Sequence, residues 1–180
     1  MSLHAEAVAE LSHWRTQDEN QESLRHAFLS FLAAREDGCQ RSCVPGHLTA
    51  SAIVLDATAE HVLLTLHPRV GRWLQLGGHC EPEDPTLLAA ALREATEESG
   101  IDGLVIEPVP LHLEVHPITC SLGQPTRHLD VRYLVRAPVG ARPVRSAESV
   151  DLQWWPVDGI PSNVDSVPRL VELALRQIAR

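Results

Sequence analysis

Residues 77–101 constrain this chain more than any other stretch. Gly77-Gly78-His79-Cys80-Glu81-Pro82-Glu83-Asp84 precedes Arg93-Glu94-Ala95-Thr96-Glu97-Glu98-Ser99-Gly100-Ile101. The first half reads as a tight glycine turn, the second as a helix with three carboxylates at one end. With Glu94 at zero on a wheel of roughly 100° per residue, Glu97 falls near about −60° and Glu98 near about +40°, one wedge about 100° wide. Three like charges that close repel one another, so propensity alone would not place them there. Acids near a helix C-terminus also oppose the macrodipole, which counts against a merely solubilising role. A hard divalent cation takes several oxygen ligands, removes the repulsion and accounts for the spacing. The pattern predicts a metal site suited to phosphate chemistry.

These residues resemble the signature of the Nudix hydrolases: glycine, five residues, an acid, seven residues, then Arg-Glu-hydrophobic-x-Glu-Glu-x-Gly-hydrophobic. Arg93, Glu94, Ala95, Glu97, Glu98, Gly100 and Ile101 match every defined position of the second half. With Gly78 as the glycine, Asp84 stands where the family usually has glutamate, and eight residues rather than seven precede Arg93. That insertion leaves the role of Asp84 open. The resemblance implies an α+β architecture, an α/β/α sandwich with a mixed sheet. It also implies a hydrolase that cleaves a diphosphate linkage by metal-assisted attack of water, with a small nucleoside diphosphate derivative as substrate. Glu94, Glu97 and Glu98 would hold the catalytic metals, and Arg93 would orient the acids rather than bind metal. Oxygen-only ligands suit Mg2+ (or Mn2+) better than zinc. Two other classes are weighed. A prenyl-diphosphate isomerase would need a proton-shuttling cysteine, and Cys80 sits in the glycine turn. A non-catalytic ligand-sensing module usually loses signature acids, which this chain keeps.

Composition narrows the partners. The net charge is −9 and all 15 basic residues are arginine. An acidic surface without a basic run argues against polymeric nucleic acid. A small nucleotide remains compatible, because a bound cation reverses the sign locally. Four cysteines at 39, 43, 80 and 120 are too sparse for a secreted disulfide framework, so a reducing, cytoplasmic setting is expected. Cys39, Cys43 and His47 lack a fourth ligand and the close pairing of a zinc site, which favours free thiols. The first residues lack the charged start and apolar block of a signal peptide. No window approaches eighteen uninterrupted apolar residues, so no membrane span is expected.

Residues 1–40 read as a helical arm of two helices, one striped by Leu3, Ala7, Val8 and Leu11, the other by Leu24, Phe28, Leu29 and Leu32. The arm could be a lid, a contact in a homodimer, or simple packing. Residues 41–180 read as the Nudix-like domain. Strands are expected at 49–55, 62–66, 72–76, 104–107, 111–118, 129–136 and 151–156, with a closing helix over 166–179. Asp84-Pro85 reads as an N-cap followed by proline at the first position of the acidic helix, which Gly100 stops. Within that helix Thr96 and Ala89 are expected to face water.

Glu148 lies ahead of the Asp151–Trp155 segment, where family members commonly carry a loop acid serving as general base; exposed loop charge is the rival reading. Arg69 and Arg72 stand just before the glycine turn and could neutralise phosphate oxygens. Gly78 and His79 are expected to line the substrate pocket, with His128 and Asp130 as further pocket candidates. Glu114 shares a strand face with His112 and His116, either a wet groove or a polar outer face.

Overall fold

In a computed structural model the described residues are 1–119, 123–147 and 149–179. Cys120 and the candidate base Glu148 lie outside them. Two helices, α1 (Leu3–His13) and α2 (Glu19–Ala34), open the chain. They are followed by strands β1 (His47–Leu55), β2 (His61–Leu66), β3 (Trp73–Leu74) and β4 (Leu76–His79). Helix α3 (Leu87–Ser99) leads to β5 (Val105–Ile106), β6 (His112–Thr119), β7 (Pro125–Arg136), β8 (Asp151–Pro156) and the closing helix α4 (Val167–Ile178).

The sheet is mixed and is organised by its two longest strands. β1 and β7 run parallel, from His47 opposite His128 to Leu55 opposite Arg136. Along the free edge of β1, β4 pairs with Thr49–Ala52 and β2 with Val54–Leu55. Along the free edge of β7, β6 pairs with its first part and β5 with Val135–Arg136. All nine residues of β1 are buried, as a strand covered on both faces must be.

Alternation assigns the faces. Leu48, Ala50, Ala52 and Val54 of β1 pack with Ala90, Ala91 and Ala95 of α3, whereas Ile53 and Leu55 pack with Leu170, Val171 and Ala174 of α4. The sheet therefore lies between α3 and α4, the expected sandwich. Three small alanines bring α3 close to the sheet. Ala89 and Thr96 are half-buried rather than facing water, and the Thr96 hydroxyl donates to the Leu92 carbonyl at 2.8 Å.

The N-terminal helices share the α3-side core: Ala7, Leu11, Phe28 and Leu32 are at most 1% exposed and cluster with Leu87, Leu113 and Tyr133. The buried stripe of α2 differs from the expected one. Leu24 and Leu29 are only partly buried, while Gln21 and Arg25 are buried beside Phe28 and Leu32. Hydrogen bonding explains it. The Gln21 amide donates to the Leu113 carbonyl at 3.0 Å and accepts from the Leu113 N–H at 2.6 Å, satisfying the outer edge of β6. Arg25 donates to the Leu11 carbonyl at 3.2 Å. The Tyr133 hydroxyl donates to Glu10 at 2.8 Å, joining α1 to the central strand.

Removing the Gln21 amide leaves two buried backbone groups unpaired. Gln21→Leu is expected to lower stability by about 2 kcal/mol, seen as a lower urea midpoint at unchanged denaturant slope.

Candidate active site

The acidic helix starts later than its Asp84-Pro85 sequence suggests. Thr86 is the N-cap, its hydroxyl accepting from the Ala89 N–H at 3.0 Å. Asp84 is instead buried and committed to Arg93. The Arg93 Nε donates to one Asp84 oxygen at 3.0 Å and an Nη2 hydrogen to the other at 2.9 Å, a bidentate pair. The extra residue between them notwithstanding, Asp84 still delivers a carboxylate to the arginine. Gly100 stops the helix in the left-handed conformation, with φ of 61°.

Arg93 uses its whole guanidinium. Beyond Asp84, Nη2 donates to the His79 carbonyl at 3.0 Å, and Nη1 donates to Glu94 and to Glu97, each at 3.1 Å. Glu81 approaches Nη1 at 3.8 Å. Glu98 lies on the adjacent side and accepts the Gly77 N–H at 3.0 Å. One guanidinium thus faces four carboxylates, with Glu98 close by. Burial opposes ionisation of Asp84, yet hydrogen bonds from Arg93 and the Glu81 N–H outweigh it and hold its pKa below the usual carboxylate range. Hydrogen bonding to Asp84 raises the Arg93 pKa against its own desolvation, with Glu94 adding to the rise.

Strand β4 is shaped to this cluster. Gly77 has φ of +148°, and a Cβ there would fall 2.3 Å from the Ser51 Cβ and 2.5 Å from its Cα. At Gly78 a Cβ would sit 2.8 Å from all three atoms of the Glu94 carboxylate. Only glycine leaves that carboxylate its place. The three helix glutamates, oxygen donors with surplus negative charge beside a glycine cradle, fit a hard divalent cation.

The other expected residues are placed as follows. His79 contributes its carbonyl to Arg93 while its imidazole joins His47 and His128, with ring centroids 4.9–5.1 Å apart. Arg72 forms an exposed ion pair with Asp165, and Arg69 lies in the exposed turn after β2. The ion pair of Arg72 thus goes to the segment ahead of α4 rather than to the carboxylate helix.

A polar network on the α4-side sheet face is the part sequence reasoning largely missed. Asp130, 3% exposed, accepts from Thr49 at 3.0 Å, Ser51 at 2.8 Å and the Arg132 Nε at 2.8 Å. Burial opposes its ionisation, but the Arg132 charge and these hydrogen bonds hold its pKa low. Arg132 continues to Ser166 at 2.7 Å and to Glu114. Glu114 therefore belongs to a hydrogen-bonded network with Arg132 and Ser166. The period-two run His128, Asp130, Arg132 was the available signal. Cys39 and Cys43 are buried free thiols, and burial pushes the Cys39 pKa up to about 11. No helix among the described residues is long and apolar enough to cross a membrane.

A mixed sheet between helices, with Arg93 gathering a helix of acids against a glycine strand, defines a Nudix-type protein. The sequence model of the NUDIX domain matches residues 45–173, and the chain belongs to the Nudix hydrolase family. No curated protein matches it in sequence. Among solved structures, the MutT protein from Methanosarcina mazei Go1 is similar at 19% identity and a TM-score of 0.58, covering 76% of this chain and 97% of that one. A C. elegans Ap4A hydrolase binary complex is similar at 20% identity and a TM-score of 0.57, covering 73% and 97%. A UDP-X diphosphatase, at 17% identity and a TM-score of 0.53, covers 96% of this chain and 91% of that one, so its match extends into the N-terminal helices.

The two glycines predict opposite phenotypes. Gly77→Ala meets strand backbone and a disfavoured φ, and is expected to destabilise by about 3 kcal/mol or more. Gly78→Ala displaces only the flexible end of Glu94 and should leave stability within about 1 kcal/mol while weakening divalent-cation binding; thermal melts and cation titration separate the two. The Asp84 carboxyl titrates lower in the folded chain than in the unfolded one, so its stabilisation is complete above its ordinary value near about 4 and is lost as pH falls through the depressed one. The destabilisation of Asp84→Asn relative to wild type should accordingly shrink on acidification below about pH 4 in paired denaturation curves.

Proposed function

We propose that the chain is a magnesium- or manganese-dependent hydrolase that cleaves a diphosphate linkage in a small nucleoside diphosphate derivative. One observation carries the reading: carboxylates in excess of their single guanidinium, arranged beside a glycine whose missing Cβ makes room for Glu94. The bound cation would lower the charge on the phosphate oxygens and acidify the attacking water. Glu94, Glu97 and Glu98 are its ligands in this reading, with Glu97 and Glu98 closest to the chemistry. Arg93 keeps Glu94 and Glu97 oriented while Asp84 fixes Arg93 in turn. Gly78 and the backbone of His79 form part of the pocket wall. Arg69 and Arg72 are assigned to the substrate phosphates, Arg72 exchanging its exposed Asp165 partner for them, and Glu148 takes the proton of the attacking water.

The solved relatives named as Ap4A hydrolase and UDP-X diphosphatase support a nucleotide with linked phosphates as the substrate class. The 1–40 arm is assigned to the same folding unit as residues 41–180, and a reducing cytoplasm suits the buried thiols. An isomerase reading is disfavoured because burial holds the Cys80 thiol far above the usual cysteine range, which unfits it for shuttling protons. A sensing module is disfavoured by the retention of Glu94, Glu97 and Glu98.

The test is a panel of nucleotide sugars, dinucleotide coenzymes, modified nucleoside triphosphates and dinucleoside polyphosphates, scored with magnesium for phosphate-containing products. Turnover of at least one class is expected, and Glu97→Gln or Glu98→Gln should each lower it by at least about 100-fold. Turnover unchanged in both variants would reject the ligand assignment.

A further inference from the structure

We propose that His47, His79 and His128 form a second metal site, for a divalent transition metal of the zinc type, on the sheet face turned away from α3. One ring nitrogen of each lies within 4.8 Å of the others. The Nε2 atoms of all three are buried and have no hydrogen-bond partner among the described residues. Three buried, unpaired ring nitrogens in one place are costly for a folded chain. A shared cation satisfies all of them at once.

The residues arrive from three strands whose register fixes them. His47 opens β1 directly opposite His128 of β7, and His79 ends β4 on the other edge of β1. The two edges are held by main-chain pairing, so the cluster does not depend on a mobile loop. Its separation from the carboxylates follows from the pleat: the Cβ direction at Gly78 points at Glu94, so the neighbouring His79 side chain leaves on the opposite face.

The protonation pattern of His47 suits a ligand. Its Nδ1 lies 3.3 Å from the Cys43 carbonyl, which in a neutral ring makes Nδ1 the donor and leaves the Nε2 lone pair free. Metal-binding histidines are commonly oriented in this way by a backbone carbonyl. All three rings favour the neutral form that coordination requires: burial, with the Arg41 charge, pushes His79 down to about 4, and burial with the neighbouring rings pushes His128 to about 3. For His47 burial likewise lowers the pKa. Neutral imidazoles select zinc, copper, nickel or cobalt over magnesium. Zinc–nitrogen distances of about 2.0–2.1 Å would need the rings to close by about 1 Å each, with one coordination position left for water or an added ligand. His116, its ring 5.3 Å from that of His128, stands next in the row.

The experiment uses the full chain, stripped with chelator and titrated with Zn2+ and Co2+ while magnesium is kept at millimolar excess. One equivalent of Zn2+ is expected to bind, and Co2+ should give the intense visible bands of a four-coordinate nitrogen site. Losing an orienting partner alone costs about 10–100-fold in affinity, so losing a ligand in His79→Gln or His128→Gln should cost at least about 100-fold. Glu97→Gln should retain full zinc affinity, whether or not the hydrolase reading holds. Zinc displaced by magnesium, weak six-coordinate cobalt bands, or affinity unchanged in both histidine variants would overturn the proposal. The cobalt spectrum of the unmutated protein decides the matter if either variant fails to fold.

Discussion

The bidentate pair between Arg93 and Asp84 is the interaction on which the arrangement of this molecule most depends. It anchors a guanidinium whose remaining hydrogens reach Glu94, Glu97 and the backbone of β4. Without that anchor Glu94 and Glu97 would repel one another with no guanidinium to set their directions. Arg93 compensates only part of their charge, so the cluster is ordered but still electronegative. An ordered, under-neutralised group of oxygens is what a hard cation needs. Lysine could supply the charge but not five donors in a fixed fork.

Strand β4 transmits this order to the sheet. The Gly77 N–H meets Glu98, the bare Cα of Gly78 admits Glu94, and the His79 carbonyl meets Arg93. The same four-residue strand is registered against Thr49–Ala52 of β1, which pairs in parallel with β7. The glycine strand and the central pair are thus positioned by backbone bonds, and the acidic helix is tied to them through Arg93 and Glu98. On the far face the same register assembles histidines and the Asp130–Arg132–Glu114 network.

What could be read from the sequence was whatever depends on local period. The carboxylate wedge of Glu94, Glu97 and Glu98, the stop at Gly100 and strands β1, β2 and β8 follow from spacing alone. What could not be read depends on tertiary partners. Asp84 looked like a cap because Pro85 follows it, but a bidentate arginine nine residues on outcompetes the local role. Gln21 and Arg25 broke the apolar stripe of α2 because each answers backbone groups far away in sequence. His47 follows Cys39 and Cys43 in the chain, whereas its ring partners come from β4 and β7. Non-local pairing of this kind carries no periodic trace.

Cation uptake tests the central claim most directly. Mn2+ binding can be followed by electron spin resonance at millimolar metal, with and without a nucleotide, in wild type and in Glu94→Gln/Glu97→Gln/Glu98→Gln, with one equivalent of Zn2+ present to fill any histidine site. The account predicts uptake by the wild-type chain that is abolished in the triple variant. Absence of uptake under both conditions, or uptake that survives loss of all three glutamates, would contradict it.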